Sequence, residues 1–216
     1  MKRLHILLGT MAVAAGMFLL LARADAQDKT APEKTTQQAG EQDQMAEMMA
    51  KWKELNSKGP EHEKLKKMVG EWDTEMKWWM TPDGEPMISP GHASFRLILD
   101  GRFVEQKYSC EMMGDKYEGI GLDGFDRVKN KYVSLWMDNQ CTGFYTCEGT
   151  ADATGKVVTY YGKMDDPIAG VKDKTVRSVA REINDNKAVF EMYDTTPEGK
   201  EFKSMEITYT RHKTEK

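Results

Sequence analysis

From Gly70 onward the chain is a succession of short alternating segments, each closed by turn residues, with no stretch suited to a crossover helix. Parallel strands need such crossovers, so this chain has to pair its strands antiparallel, through hairpins. The segments read as Gly70–Met80, His92–Leu99, Phe103–Cys110, Tyr117–Phe125, Tyr132–Met137, Phe144–Ala151, Val157–Met164 and Thr175–Ile183. The turns Asn184-Asp185-Asn186 and Pro197-Glu198-Gly199 bound the last hairpins. About ten short, evenly spaced strands make an all-β barrel or sandwich, and an antiparallel up-and-down meander whose ends meet is the simplest closure.

The two ends carry a signal for that closure. In GEWDTEMKWWM, residues Trp72, Thr74, Met76, Trp78 and Met80 share one strand face. Glu71, Asp73, Glu75 and Lys77 share the other, with Trp79 the single breach. This is the alternation of a strand with one buried face. In KSMEITYTR, Met205, Ile207, Tyr209 and Arg211 lie on one face, so a charge stands on the apolar side, where it is costly without a partner. If first and last strands pair antiparallel, Arg211 falls beside Trp72. A guanidinium over an indole contributes about 0.5–2 kcal/mol. Trp72 and Arg211 are therefore the expected pair at the barrel base.

Gly-x-Trp opening the first strand, with an inward Arg on the last, resembles the base signature of the lipocalin and calycin superfamily. More closely, Gly59 to His212 resembles the bacterial domain of unknown function 1579. The matching runs are GPEHEKLKKMVGEW, LDGRFVEQKY, YEGIGLDGFD, KYVSLWMDN, VFEMYDTTPEGKEF and KSMEITYTR. The resemblance implies a calycin-like barrel and carries no activity with it.

Ahead of the strands, residues 1–26 read as a secretory signal. Lys2 and Arg3 precede an apolar run to Leu21, and small-x-small patterns follow, with cleavage expected before Gln27. The alternative is an uncleaved anchor, near the lower length for a span. With the signal cleaved, no stable membrane span is expected, and the protein is exported, periplasmic or secreted. Residues 27–43 are polar without apolar period and read as a disordered tether. Residues 44–69 read as helices closing one barrel end. Met45, Met48, Met49, Trp52 and Leu55 form a helical stripe, and Pro60 opens a second, short helix that stops at Gly70. Residues 70–213 are the barrel.

The formal net charge of −4, with both signs interspersed, argues against nucleic acid, which needs a concentrated basic face. Gly119-Ile-Gly121-Leu-Asp-Gly124 spells the dinucleotide fingerprint, yet it leads to another strand rather than a helix, so no nucleotide site is expected. Of the His residues beyond the signal, His62, His92 and His212 have no metal-ligand spacing. His212, next to inward Arg211, should point outward, which argues against haem. Asp123 with Asp126, and Asp165 with Asp166, sit in or beside turns, where Asp is favoured for local bonding. No nucleophile elbow or acid–base constellation is present, so catalysis is not expected and no catalytic residue, cofactor or metal is assigned. Cys110, Cys141 and Cys147 allow one disulfide, and buried free thiols are the default.

About ten strands enclose more than side chains fill in an eight-stranded barrel, and Gly119 and Gly121 thin one wall. The expected function is binding of a small, mostly apolar ligand inside the barrel. The candidate lining is Trp78, Gln106, Tyr108, Trp136, Tyr160, Arg177 and Tyr209, with Gln106 as a polar contact and Arg177 as partner to a ligand carboxylate. Core packing for the aromatics and an outer-face charge for Arg177 are the bland alternative. An envelope interaction module with a filled core is the second reading, and an enzyme at the barrel mouth the third.

Overall fold

The computed structural model describes residues 33–166 and 170–213. The expected signal at 1–26 and the first part of the tether, 27–32, lie outside the described residues. The chain divides into two units between Ala50 and Lys51, and the barrel lies wholly in the second.

Ten strands form that barrel: β1 (Gly70–Trp78), β2 (Met87–Ile98), β3 (Phe103–Met112), β4 (Asp115–Asp126), β5 (Lys131–Asp138), β6 (Tyr145–Ala151), β7 (Val157–Asp166), β8 (Val171–Asn184), β9 (Lys187–Thr195) and β10 (Glu201–Arg211). Each pairs antiparallel with its chain neighbours, and β1 pairs with β10, so the sheet closes on itself as a meander. Closure removes the unpaired edges that an open sheet would expose. The Gly-x-Gly-x-x-Gly run lies entirely within β4, so the fingerprint is strand and not a phosphate turn. β2 starts five residues before the expected His92, passing through Pro90 and Gly91. These two residues resemble turn chemistry, but at Gly91 a Cβ would stand 2.6 Å from the Ser109 carbonyl oxygen. Glycine is there so that two strands and the Thr74 side chain can approach closely.

The register places Trp72 directly opposite Arg211. The guanidinium lies 4.2 Å from the indole centroid, and Trp72, 1% exposed, is among the most buried large side chains. Arg211 also donates from Nε to the Asp185 carbonyl at 3.0 Å, from Nη1 to Val69 at 3.0 Å and from Nη2 to Lys67 at 2.7 Å. Trp72 Nε1 donates to the Met68 carbonyl at 2.8 Å. One cation thus ties the last strand, the β8–β9 turn and the segment before β1 together. Beside this pair the core continues through Met76, Ala93, Phe95, Val104 and Ile207.

Two helices precede the strands, α1 (Glu33–Leu55) and α2 (Pro60–Leu65), the second running into a 3-10 turn at Lys66–Met68. α2 and its 3-10 turn cover the end of the barrel that Trp72 and Arg211 close, with Leu65 and Met68 packed on the core. His62 is buried, accepts the Gly59 N–H at Nδ1 across 3.0 Å, and meets the Phe125 ring edge-on. Burial lowers its pKa, which keeps the accepting nitrogen unprotonated. The C-terminal end of α1 is held by Arg127, donating to the Glu54 carbonyl at 2.9 Å, and by Arg102, donating to the Asn56 carbonyl at 2.6 Å. Cations there complement the unsatisfied carbonyls of a helix end.

Two expectations for the N-terminal region change. α1 begins at Glu33, so part of the stretch read as tether is helical. Its Glu, Gln, Lys and Ala are good helix formers even where no apolar face is present. The stripe Met45, Met48, Met49, Trp52 and Leu55 is expected from its spacing to be packed, and every one of the five is exposed. Among the described residues no helix is long and apolar enough to cross a membrane.

Candidate ligand cavity

A strand in a closed barrel sends alternate side chains inside, and a cavity of about 1210 Å³ remains between them. This exceeds the ~300–1,000 Å³ of ordinary ligand pockets. Leu65, Met68 and Trp72 line its lower end, and the segment Gln140–Phe144 between β5 and β6 lines the upper end.

Glycines shape the walls. Trp136 of β5 lies flat over Gly119 and Gly121 of β4, and a Cβ at Gly119 would stand 2.1 Å from its ring. Tyr160 of β7 covers Gly149 of β6 in the same way, with a Cβ only 2.5 Å from the ring. The indole is then pinned by its nitrogen, which donates to the Tyr117 hydroxyl at 3.1 Å and to Asp138 Oδ2 at 3.0 Å. Asp138 Oδ1 in turn accepts the Gln140 and Cys141 backbone N–H groups at 2.9 and 3.0 Å, so one carboxylate fixes both the aromatic wall and the loop at the mouth. Gly119→Ala should therefore push the indole out of its seat. The expected cost is about 1–3 kcal/mol, read by urea unfolding together with a shift in tryptophan emission; unchanged stability and emission would mean that the wall is not packed this way.

Of the residues anticipated from the sequence, Trp78, Gln106, Tyr108, Trp136, Tyr160 and Tyr209 all line the cavity. Gln106 Nε2 donates to the Tyr209 hydroxyl at 3.1 Å, joining β3 to β10 across the interior. Arg177 does not join them. It lies on the outer face of β8, pairs with Glu201 through two bonds of 2.8 and 2.6 Å, and stacks 3.7 Å from the Tyr193 ring. The residues of β8 that pair with the inward Tyr160, Phe190 and Met192 are Ser178 and Ala180. Arg177, of the opposite parity, must point outward, and it is already neutralised by Glu201.

The barrel also turns inward a group that turn chemistry alone would place outside. Asp123 lines the cavity, opposite Val104 of β3 and Ser134 of β5. Burial lifts its carboxyl to about 6, opposed only by a hydrogen bond from the Ser134 side chain. A signal for this exists in the sequence: Gly119, Gly121 and Asp123 alternate along one face of one strand, and the glycines belong to the wall. Asp126 behaves as its turn position suggests, accepting the Val128 and Lys129 N–H groups at 2.9 and 3.0 Å. Asp165 accepts the Asp173 N–H at 2.9 Å, and Asp166 pairs with Lys174 at 3.0 Å.

His92 and His212 stand outside the barrel, on Glu71 at 2.7 Å and Asp73 at 2.9 Å respectively. All three cysteines are free, Cys141 exposed at the mouth and Cys110 and Cys147 buried. Burial pushes the Cys147 thiol up to about 12 and raises Cys110 and Cys141 as well, so what sets Cys141 apart is that a reagent can reach it. A thiol reagent should therefore label Cys141 in the native protein, and Cys110 and Cys147 only on unfolding. Mass spectrometry of tryptic peptides reads the order, and fast native labelling of Cys147 would contradict it.

A family model described as a protein of unknown function, DUF1579, matches residues 57–211. No curated protein matches the chain. Among solved structures, the chain is similar to Rv2717c from M. tuberculosis at 13% identity and a TM-score of 0.53, over 73% of this chain and 100% of that one. A redesigned β-barrel matches at 15% identity and a TM-score of 0.35, over 69% of this chain and 95% of that one.

Proposed function

For a chain that belongs to the DUF1579 family of proteins of unknown function, we propose binding of a small, mostly apolar molecule inside the barrel, by a protein exported from the cytoplasm. The observation that carries this reading is the unfilled interior of about 1210 Å³. Protein cores pack without voids much larger than a water. An interior of this size, walled by Trp136, Tyr108, Phe190 and Met205 and mostly apolar in the surface it offers, has the make-up of a small-molecule site.

Two measurements test it. Native mass spectrometry of the protein from its own cells should show an adduct that leaves on denaturation. An environment-sensitive apolar dye should bind one per chain, and Ala180→Trp, which fills the cavity from its wall, should abolish that binding. A bare mass together with dye binding that survives Ala180→Trp would sink the reading. Export is tested separately, by fractionation and N-terminal sequencing, with Gln27 as the expected first residue.

The exposed stripe Met45, Met48, Met49, Trp52 and Leu55 favours the second reading, an envelope interaction module. Exposed apolar groups in a row mark contact surfaces. A chain that carries no ligand, but loses a specific protein partner on Trp52→Glu, would put this reading first.

A further inference from the structure

Several carboxylates line the cavity: Asp138 is held by Trp136 and Tyr117, Asp165 accepts a backbone N–H and Glu182 pairs with Lys67, whereas Asp123 has no cation to match it. Asp123 projects from β4, and the elements around it contribute Gln106 of β3, Tyr132 and Ser134 of β5, Cys147 of β6, Tyr160 of β7 and Tyr209 of β10. Its negative charge raises the pKa of Cys147, Tyr160 and Tyr209 in addition to their burial, so all three stand within its electrostatic reach and all three are neutral. Among the described residues Asp123 makes no ion pair. The cations that line the cavity are occupied elsewhere or stand at its end. Lys67 holds Glu182 at 2.7 Å, Arg181 holds Glu191 at 3.0 Å, and Lys163 donates to Thr175 at 2.7 Å. Lys64 lies against Gly155, and Lys156 follows that glycine in the turn before β7.

A carboxylate removed from water costs several kcal/mol unless it is paired, and a group in that state either takes a proton or takes a partner from outside. The rings beside it are suited to one kind of partner, since the faces of Tyr and Trp attract cations. We propose that the ligand is an apolar molecule bearing an ammonium group, which seats its positive end on Asp123 and its body along the aromatic wall. This rests on the cavity being a ligand site. It gives Asp123, Tyr160 and Tyr209 a role in selecting charge, and it disfavours a carboxylate headgroup at Asp123, where it would meet a like charge.

A pH dependence follows. Above pH ~6 Asp123 is ionised and attracts the cation; below it the carboxyl is protonated and the attraction fades. A permanently charged probe keeps the ligand's own titration out of the measurement. The experiment is calorimetric titration of the purified chain with a dodecyl trimethylammonium ion, its uncharged tert-butyl isostere and dodecanoate, at pH 8 and pH 5, on wild type and Asp123→Asn. The cation should bind about tenfold or more tightly than the isostere at pH 8. That preference should shrink to about threefold or less at pH 5, and be equally small in Asp123→Asn at both pH values. Equal binding of cation and isostere by wild type would overturn the assignment while leaving the cavity a binding site. So would a preference that survives Asp123→Asn, or tighter binding of dodecanoate. If none of the three probes binds, the binding reading itself fails and this proposal with it.

Discussion

Arg211→Ala should lower the stability of the barrel by about 2–3 kcal/mol, the upper part of the ordinary range for losing a half-buried hydrogen-bond network. Its guanidinium donates to three carbonyls, those of Lys67, Val69 and Asp185, and covers the face of Trp72. Alanine leaves the carbonyls without their donor, and hydrogen bonds to a charged group are worth ~1.5–3 kcal/mol each. Water entering the gap will recover part of this, so the sum of the parts is an upper bound. Arg211→Lys keeps the charge, but one ammonium on a flexible stem does not reproduce a planar fork that reaches three acceptors in two segments. It should recover less than half of the loss. Urea unfolding followed by tryptophan fluorescence measures both. A loss below about 1 kcal/mol for the alanine variant would mean that closure depends on the strand ladder alone.

Asp123→Asn should instead stabilise the protein, increasingly so as the pH rises above about 4. The folded-state carboxyl titrates at about 6, against 3.8 for the unfolded chain. Between those values the folded protein holds the extra proton, so wild-type stability falls as pH rises and stays low above ~6. A displacement of this size corresponds to about 3 kcal/mol. Asparagine has no charge to bury and can still bond Ser134. The variant should therefore melt ~5–10 °C above wild type at pH 8, with the advantage shrinking to nothing near pH ~4. Thermal unfolding at several pH values gives the difference directly, and a gap that does not change with pH would remove the buried charge from the explanation. Together with the cation-selective binding proposed above, a more stable but less selective variant is the usual relation between a site and its scaffold.

Parts of the chain differ in legibility for physical reasons. β1 and β10 have one clean apolar face each, so alternation alone places Trp72, Trp78, Tyr209 and the Arg211 pair. β8 has apolar residues on both faces: Val176 and Val179 differ in parity and are both 2% exposed, which is why its pattern can put Arg177 inside. β4 carries two glycines and an aspartate on its inner face, so neither face is apolar, and Asp123 reads as part of the turn that follows. The Met and Trp stripe of α1 is legible as a helix, but a periodic stripe says only that something apolar can cover it, not that the barrel does.

What the sequence determined by itself is the count of strands, their hairpin order and the residues at which the first meets the last. These follow from local rules, namely alternation of side chains, turn chemistry between segments and the cost of an unpaired charge on an apolar face. What only the tertiary structure decided is which face of the mixed strands looks inward, that Trp136 and Tyr160 lie on glycines rather than fill the centre, and that the Asp123 carboxyl faces the space they leave without a cation. Those outcomes depend on how ten strands close round one volume, and the space left inside is a property of the whole ring.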